Sequence, residues 1–256
     1  MDILNDAKKM SELARKHLDL DNAPIKNIFS ILENEGIFVV RMPIGGEGLS
    51  GAFFYDKQTN NARILINSDR TIGHQIFTAA HEYGHFLMDK EKEQLIIEKD
   101  DGKKTAIEKR ADSFAANFLM PEDGVNHFIK KVLKIRSNEL SDVEIVKVKY
   151  EFGTSWQAVL YRLHNLGYTF DCGIEAKTHH TSVLNSLALQ LGYRPEKKFR
   201  EEKTIMPAQV YQLAFKAYFE KKISLNRLAD ILRCSYDEAK DRVAEIEALA
   251  ENGQNI

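Results

Sequence analysis

The sequence has no long apolar run. No stretch of 18 or more apolar residues occurs in its 256 positions, so no membrane-spanning helix is expected. It is poor in cysteine. Cys172 and Cys234 lie far apart, which argues against a disulfide framework and fits free thiols in a reducing compartment. It has no surplus of one charge. With 36 Lys and Arg against 38 Asp and Glu, the formal net charge is -2, which gives neither a global basic field for nucleic acid nor the acidic excess of a disordered chain. The opening stretch "MDILNDAKKMSELARKHLDLD" lacks an apolar signal core and a small-residue cleavage site, so a cytoplasmic location is expected. Internal repeats and low-complexity tracts are missing as well. The 43% hydrophobic content is enough for one large domain or two small ones.

Local patterns give a coarse element order. Residues 5 to 20 read as a helix. "PIKNIFSILENEGI" reads as a second, with Pro24 in its first turn and Gly36 at its stop. "IFVVRM" is β-branched and short, hence a strand. "AFFYD" and "ARILINS" flank "QTNN" as a hairpin. Residues 70 to 90 are helical, and a charged connection follows to about Gly102. Another helix runs from Ala106 to Leu119, with Pro121 stopping it. Helical patterns dominate afterwards, with a pair of helices around Gly153 and a charged linker at 195 to 203. The expected class is α+β, with a small sheet, two site helices and an all-helical C-terminal region. The expected division is a first domain over 1–168, ending in a helix-turn-helix-like pair, and a helical accessory or regulatory region over 169–256.

The chemistry concentrates in "FTAAHEYGHFLMDK", residues 77 to 90. On a helix, His81 and His85 project from one face one turn apart, a spacing at which two imidazoles can share one zinc ion. Glu82 stands beside them as the base that would take a proton from a water at the metal. Average composition would produce this pattern by chance in about one chain in a hundred of this size, so a further ligand is needed to make the case. "IEKRADSFAANFLMP" supplies it. Glu108 is the expected third ligand. Asp112, four residues on, would accept a hydrogen bond from a ligand histidine, while Ala111 and Ala115 let the two helices approach closely. The bland alternative is two partly exposed histidines beside an ordinary solvated acidic face. Tyr83 is expected in the core, and His74 and His127 in surface or structural roles. Cys234 reads as a small core residue; Cys172 is less clear from its surroundings, and a thiol at an open metal position is the minor reading of it.

"IFTAAHEYGHFLM" followed by "EKRADSFAANFLMP" resembles the ImmA/IrrE family of zinc metallopeptidases, as do "GLSGAFFYD…ARILIN" and "FGTSWQAVLYRLHNLGY". The resemblance covers roughly residues 20 to 168. It departs at Arg110, where many members carry an acidic residue, and at Ile76, where many carry arginine; neither is an expected ligand. The resemblance implies a gluzincin-like fold with His81, His85 and Glu108 on one zinc ion. It also implies a protein substrate, typically a helix-turn-helix repressor whose cleavage releases its operon. By analogy with zincins, "ARILINS" would be the edge strand that pairs with substrate, through Ile64, Leu65 and Ile66.

The C-terminal stretch "ISLNRLADILRCSYDEAKDRV" has the cadence of a helix-turn-helix. Between Ile205 and Glu247 there are seven Lys and Arg and seven Asp and Glu, so strong direct DNA binding is not expected. Two rival readings follow. One is a regulatory protein that sequesters a repressor without cutting it, and the other a DNA-binding regulator acting through these helices. Monomer and dimer are equally compatible with the sequence.

Overall fold

The computed structural model describes residues 3–45, 48–91, 95–99, 105–194 and 204–253. The chain opens with α1 (Ile3–His17) and α2 (Ile28–Asn34), then β1 (Phe38–Met42), β2 (Leu49–Asp56) and β3 (Asn61–Asn67). The site helices α3 (Ile72–Met88) and α4 (Ala106–Leu119) are separated by β4 (Leu95–Lys99). There follow α5 (Glu122–His127), a π-helical turn at Phe128–Val132, β5 (Glu139–Leu140), α6 (Asp142–Phe152) and α7 (Trp156–Asn165). The chain ends with β6 (Thr169–Phe170), α8 (Ile174–His179), α9 (Thr181–Gln190), α10 (Ala208–Phe219), α11 (Leu225–Leu232) and α12 (Tyr236–Gly253). The class is α+β, as expected. Among the described residues no helix is long and apolar enough to cross a membrane.

The expected hairpin forms. β2 and β3 pair antiparallel from Gly51 opposite Ile66 to Asp56 opposite Asn61, and Asn60 takes the left-handed conformation in the turn (φ 54°). The sheet order is β1-β3-β2-β4, with β1 parallel to β3 and β4 antiparallel to β2. β3 is therefore an interior strand. Its backbone is paired on both sides, and Ile64 and Ile66 are buried in the core. This overturns the expectation that Ile64, Leu65 and Ile66 form an edge for substrate, because no ladder of β3 is left to offer. The strands at the ends of the order are β1 and β4. β1 is met on its outer side at Arg41 by Ile205, through Arg41 N–H to Ile205 O at 3.0 Å and Ile205 N–H to Arg41 O at 2.7 Å.

Two further expectations are corrected. α2 does not begin at Pro24. Asn27 caps it, its side-chain oxygen accepting from Ser30 N–H at 3.2 Å, and Pro24 stays in the preceding loop. The charged connection after α3 contains β4, which the surrounding Lys and Glu residues conceal. Gly36 (φ 79°) follows α2 and Gly153 (φ 67°) ends α6, both as expected. Pro121 ends α4 and at once N-caps α5. The linker expected at 195–203 lies outside the described residues.

One apolar core joins α1 to α7 and α9 with the four-stranded sheet. It includes Leu184 and Ala188 of α9, beyond the division drawn at residue 168. A second, smaller cluster gathers Ala214, Leu228, Leu232 and Val243 from α10, α11 and α12. Arg233 takes the left-handed conformation (φ 52°) where α11 ends, in the turn that the helix-turn-helix cadence placed near Cys234. Half-buried Cys234 packs against this cluster.

Candidate metal centre

α3 is enclosed by the fold. The sheet strands β2 and β3 lie on one side and α4 on another. Thr71 starts it as N-cap, accepting from His74 N–H. From Thr78 to His85 every residue is buried. A helix buried all round must be mostly apolar or must satisfy its polar groups specifically. Here Tyr83 fills the core, edge-on to Phe114 with centroids 5.9 Å apart and tilted on Phe118 at 5.5 Å. Its hydroxyl donates to Glu35 at 3.3 Å. Gly84 lets α4 come close, since a Cβ there would sit 3.0 Å from the Phe114 ring.

His81 and His85 are both 0% exposed, which rules out the reading of two partly exposed surface histidines. Their Nε2 atoms lie 3.0 Å apart. Glu108, in the first turn of α4, brings Oε2 to 3.1 Å from His81 Nε2 and Oε1 to 3.7 Å from His85 Nε2. Thr105 caps α4 directly at Glu108 N–H, 3.2 Å away, and so fixes the turn that carries this carboxylate. Among the described residues these three form a group able to hold a metal ion, with ligand atoms all within 4.8 Å of one another.

The outer nitrogens explain the orientation. His81 Nδ1 lies 3.0 Å from Asp112 Oδ1, and His85 Nδ1 lies 2.9 Å from Asp89 Oδ2. A neutral imidazole carries one N–H. With that proton donated to a carboxylate from Nδ1, each ring turns an Nε2 lone pair inward. Two lone pairs and a carboxylate then converge, an all-acceptor arrangement that suits a cation. The residues thus fit the metal that the sequence implies.

Glu82 is also fully buried, on the α3 face turned toward β2. Gly51 of β2 makes room for this face of α3, since a Cβ there would collide first with the Thr78 methyl and would come within 2.8 Å of Glu82 Oε1 and 3.1 Å of the Leu65 carbonyl. Gly51→Ala therefore pushes on both the Thr78 methyl and the Glu82 carboxylate. We expect a stability loss of about 1–3 kcal/mol in chemical denaturation, and hydrolysis to fall much further than metal content does. Equal losses of metal and activity would mean that the glycine supports the whole helix rather than Glu82.

His81, His85, Glu108 and Asp112 come together as the sequence suggested, with Glu82 on the next face of the same helix. Two neighbours were missed. Asp89 continues the histidine face by one more turn, and Arg110 of α4 pairs with it. The i, i+4, i+8 spacing of His81, His85 and Asp89 was the available signal. His74 instead bonds Ser50 Oγ at 3.0 Å, and His127 is exposed at the end of α5. Half-buried Cys172 is not in the group.

A buried pair of helical histidines, a carboxylate from the adjacent helix and a glutamate beside the first histidine define a metallopeptidase-type centre. Residues 32–164, just over half of the chain, match the IrrE N-terminal-like domain of the M78 peptidases, and the chain belongs to that family. It is a metallopeptidase of the IrrE/ImmA kind. No curated protein matches the chain.

Proposed function

We propose that the protein is a zinc-dependent endopeptidase and that its substrate is a protein, a helix-turn-helix transcriptional repressor whose cleavage relieves repression. The observation that carries the zinc reading is the convergence of His81 Nε2, His85 Nε2 and Glu108 within 4.8 Å, beside a buried Glu82. His81, His85 and Glu108 are the residues that would hold the ion, three protein ligands as catalytic zinc sites use. Bound there, zinc would supply Lewis acidity, lowering the pKa of a water toward neutrality and polarising the scissile carbonyl.

The chain's own residues do the rest. His81 and His85 hold their lone pairs inward because Asp112 and Asp89 take their Nδ1 protons. Glu108 adds negative charge that favours a divalent cation. Glu82 accepts the proton of the attacking water and returns it to the departing amine nitrogen, so its carboxylate is regenerated at each turnover. Glu82 is fully buried beside β2, and the low polarity of such a position raises the effect of its charge at the reaction centre. An extended peptide can add to a free sheet edge. Among the described residues β4 pairs with β2 alone, and Glu98 of β4 stands in register with Gly51, the residue against which Glu82 packs. β4 therefore takes the role that the sequence assigned to β3.

The test is to incubate zinc-loaded protein with purified helix-turn-helix repressors from the same genome. We expect two fragments, blocked by a chelator and restored by zinc. If the repressor stays intact but loses its DNA at one-to-one stoichiometry, the protein sequesters rather than cuts.

A further inference from the structure

Asp89 is the C-cap of α3, its backbone N–H donating to His85 O at 2.8 Å. Its side chain is 1% exposed. A carboxylate so deeply buried needs partners for both oxygens. Oδ2 lies 2.9 Å from His85 Nδ1, and Oδ1 receives the guanidinium of Arg110 from α4. We propose that Asp89 is a positioning residue of the metal centre, held in that role by Arg110. The chain of contacts runs from Arg110 through Asp89 to His85. This rests on the reading of His85 as a zinc ligand.

Three observations support this role. First, the two histidines are matched. Each presents Nε2 to the centre and Nδ1 to a buried or half-buried carboxylate, and Asp89 stands to His85 as Asp112 stands to His81. Second, Asp89 faces two donors, His85 Nδ1–H and Arg110 N–H, and a carboxylate is the side chain that accepts from both. Third, Glu108, Arg110 and Asp112 lie within five residues of α4. Glu108 reaches the histidine pair, Asp112 reaches His81, and Arg110 reaches the end of α3. One turn of helix thereby supplies the third ligand and secures both histidine partners.

The chemistry makes Asp89→Asn an informative variant. An amide has one acceptor and one NH2, so either flip sets a donor against His85 or against Arg110. Zinc affinity of the full chain is measured by competition with a chromogenic chelator, and the ligand field by the visible bands of the cobalt-substituted protein. Helicity of the metal-free variants serves as the folding check. We expect Asp89→Asn to weaken zinc about 10- to 100-fold and to shift the cobalt bands. Adding Arg110→Met removes the second donor, lets the amide oxygen turn to His85, and recovers part of the affinity. Should Asp89→Asn fail to fold, Asp89→Glu keeps both acceptors but lengthens the arm, and it too should move the cobalt bands.

Parent-like affinity with unchanged bands in the folded variant overturns the role of Asp89. A loss that Arg110→Met does not relieve overturns the role of Arg110. A parent chain that binds no zinc overturns the underlying metal assignment instead, so the two failures are distinguishable.

Discussion

Glu82→Gln should keep its metal and lose its chemistry. The substitution preserves shape at a position that is 0% exposed and that lies outside the ligand group of His81, His85 and Glu108. Packing against Gly51 and the β2 backbone is therefore retained. What goes is the carboxylate's ability to take a proton from water and return it to the leaving nitrogen. Removal of a positioned general base costs on the order of 10²–10⁴ in rate, and here one group serves both transfers. We expect hydrolysis to drop by about a thousandfold or more under single-turnover conditions, with zinc content at the parent level. Cleavage at the parent rate would assign the base elsewhere. Loss of zinc along with activity would make Glu82 part of the metal's support.

The site was legible because helix geometry is short-ranged. Residues four apart share a face whatever surrounds them, so His81 with His85, and Glu108 with Asp112, could be grouped before any fold was known. The packing partners of Tyr83 follow the same logic, since a large aromatic off the histidine face belongs in a core. Asp89 obeys the same spacing and was still missed. An aspartate followed by lysines reads as the polar end of a helix, and only the approach of Arg110 from α4 shows that this end is buried.

The sheet order was not legible, for a physical reason. Alternation in "ARILINS" reports that one face of the strand is buried, and it does so equally for an interior strand and an edge. Which neighbours fill its two ladders depends on the parallel return of β1 alongside β3 and on β4 joining β2 from the far side of α3. Neither pairing is local. β4 was further hidden by its length of five residues inside a charged segment. The same limit applies to α8 and α9. Trp156 of α7 donates to Asn185 of α9 at 2.8 Å, and Lys177 of α8 meets Asp142 of α6 at 2.7 Å, contacts that tie both helices to the larger core. The helix-turn-helix cadence near the C-terminus, being a local pattern, did survive, in α11, α12 and the left-handed Arg233 between them.

Glu108→Ala should separate the metal centre from the fold that carries it. Glu108 is half-buried at the start of α4, and its backbone N–H remains capped by Thr105 after the side chain is removed. The helix should therefore form. Removing its carboxylate takes away both a contact with His81 and a like-charge contact with Asp112, which oppose each other in the metal-free protein. The apo variant should thus melt close to the apo parent, within about 1 kcal/mol. Metal binding is another matter. Structural zinc sites with four ligands gather roughly 10–16 kcal/mol, or about 3 kcal/mol per ligand, which is on the order of a hundredfold in affinity. We expect zinc to bind the variant about a hundredfold more weakly or worse, and the rise in melting temperature on adding zinc to shrink in step with the lost affinity. Calorimetric scans with and without zinc, beside chelator competition, read both quantities on the same samples. Full zinc content under competition would place the third ligand on another residue. A collapse of the apo fold would show that Glu108 supports α4 itself. A variant that folds, melts like the apo parent and ignores zinc would leave His81 and His85 as a pair that needs its carboxylate from across the helix interface.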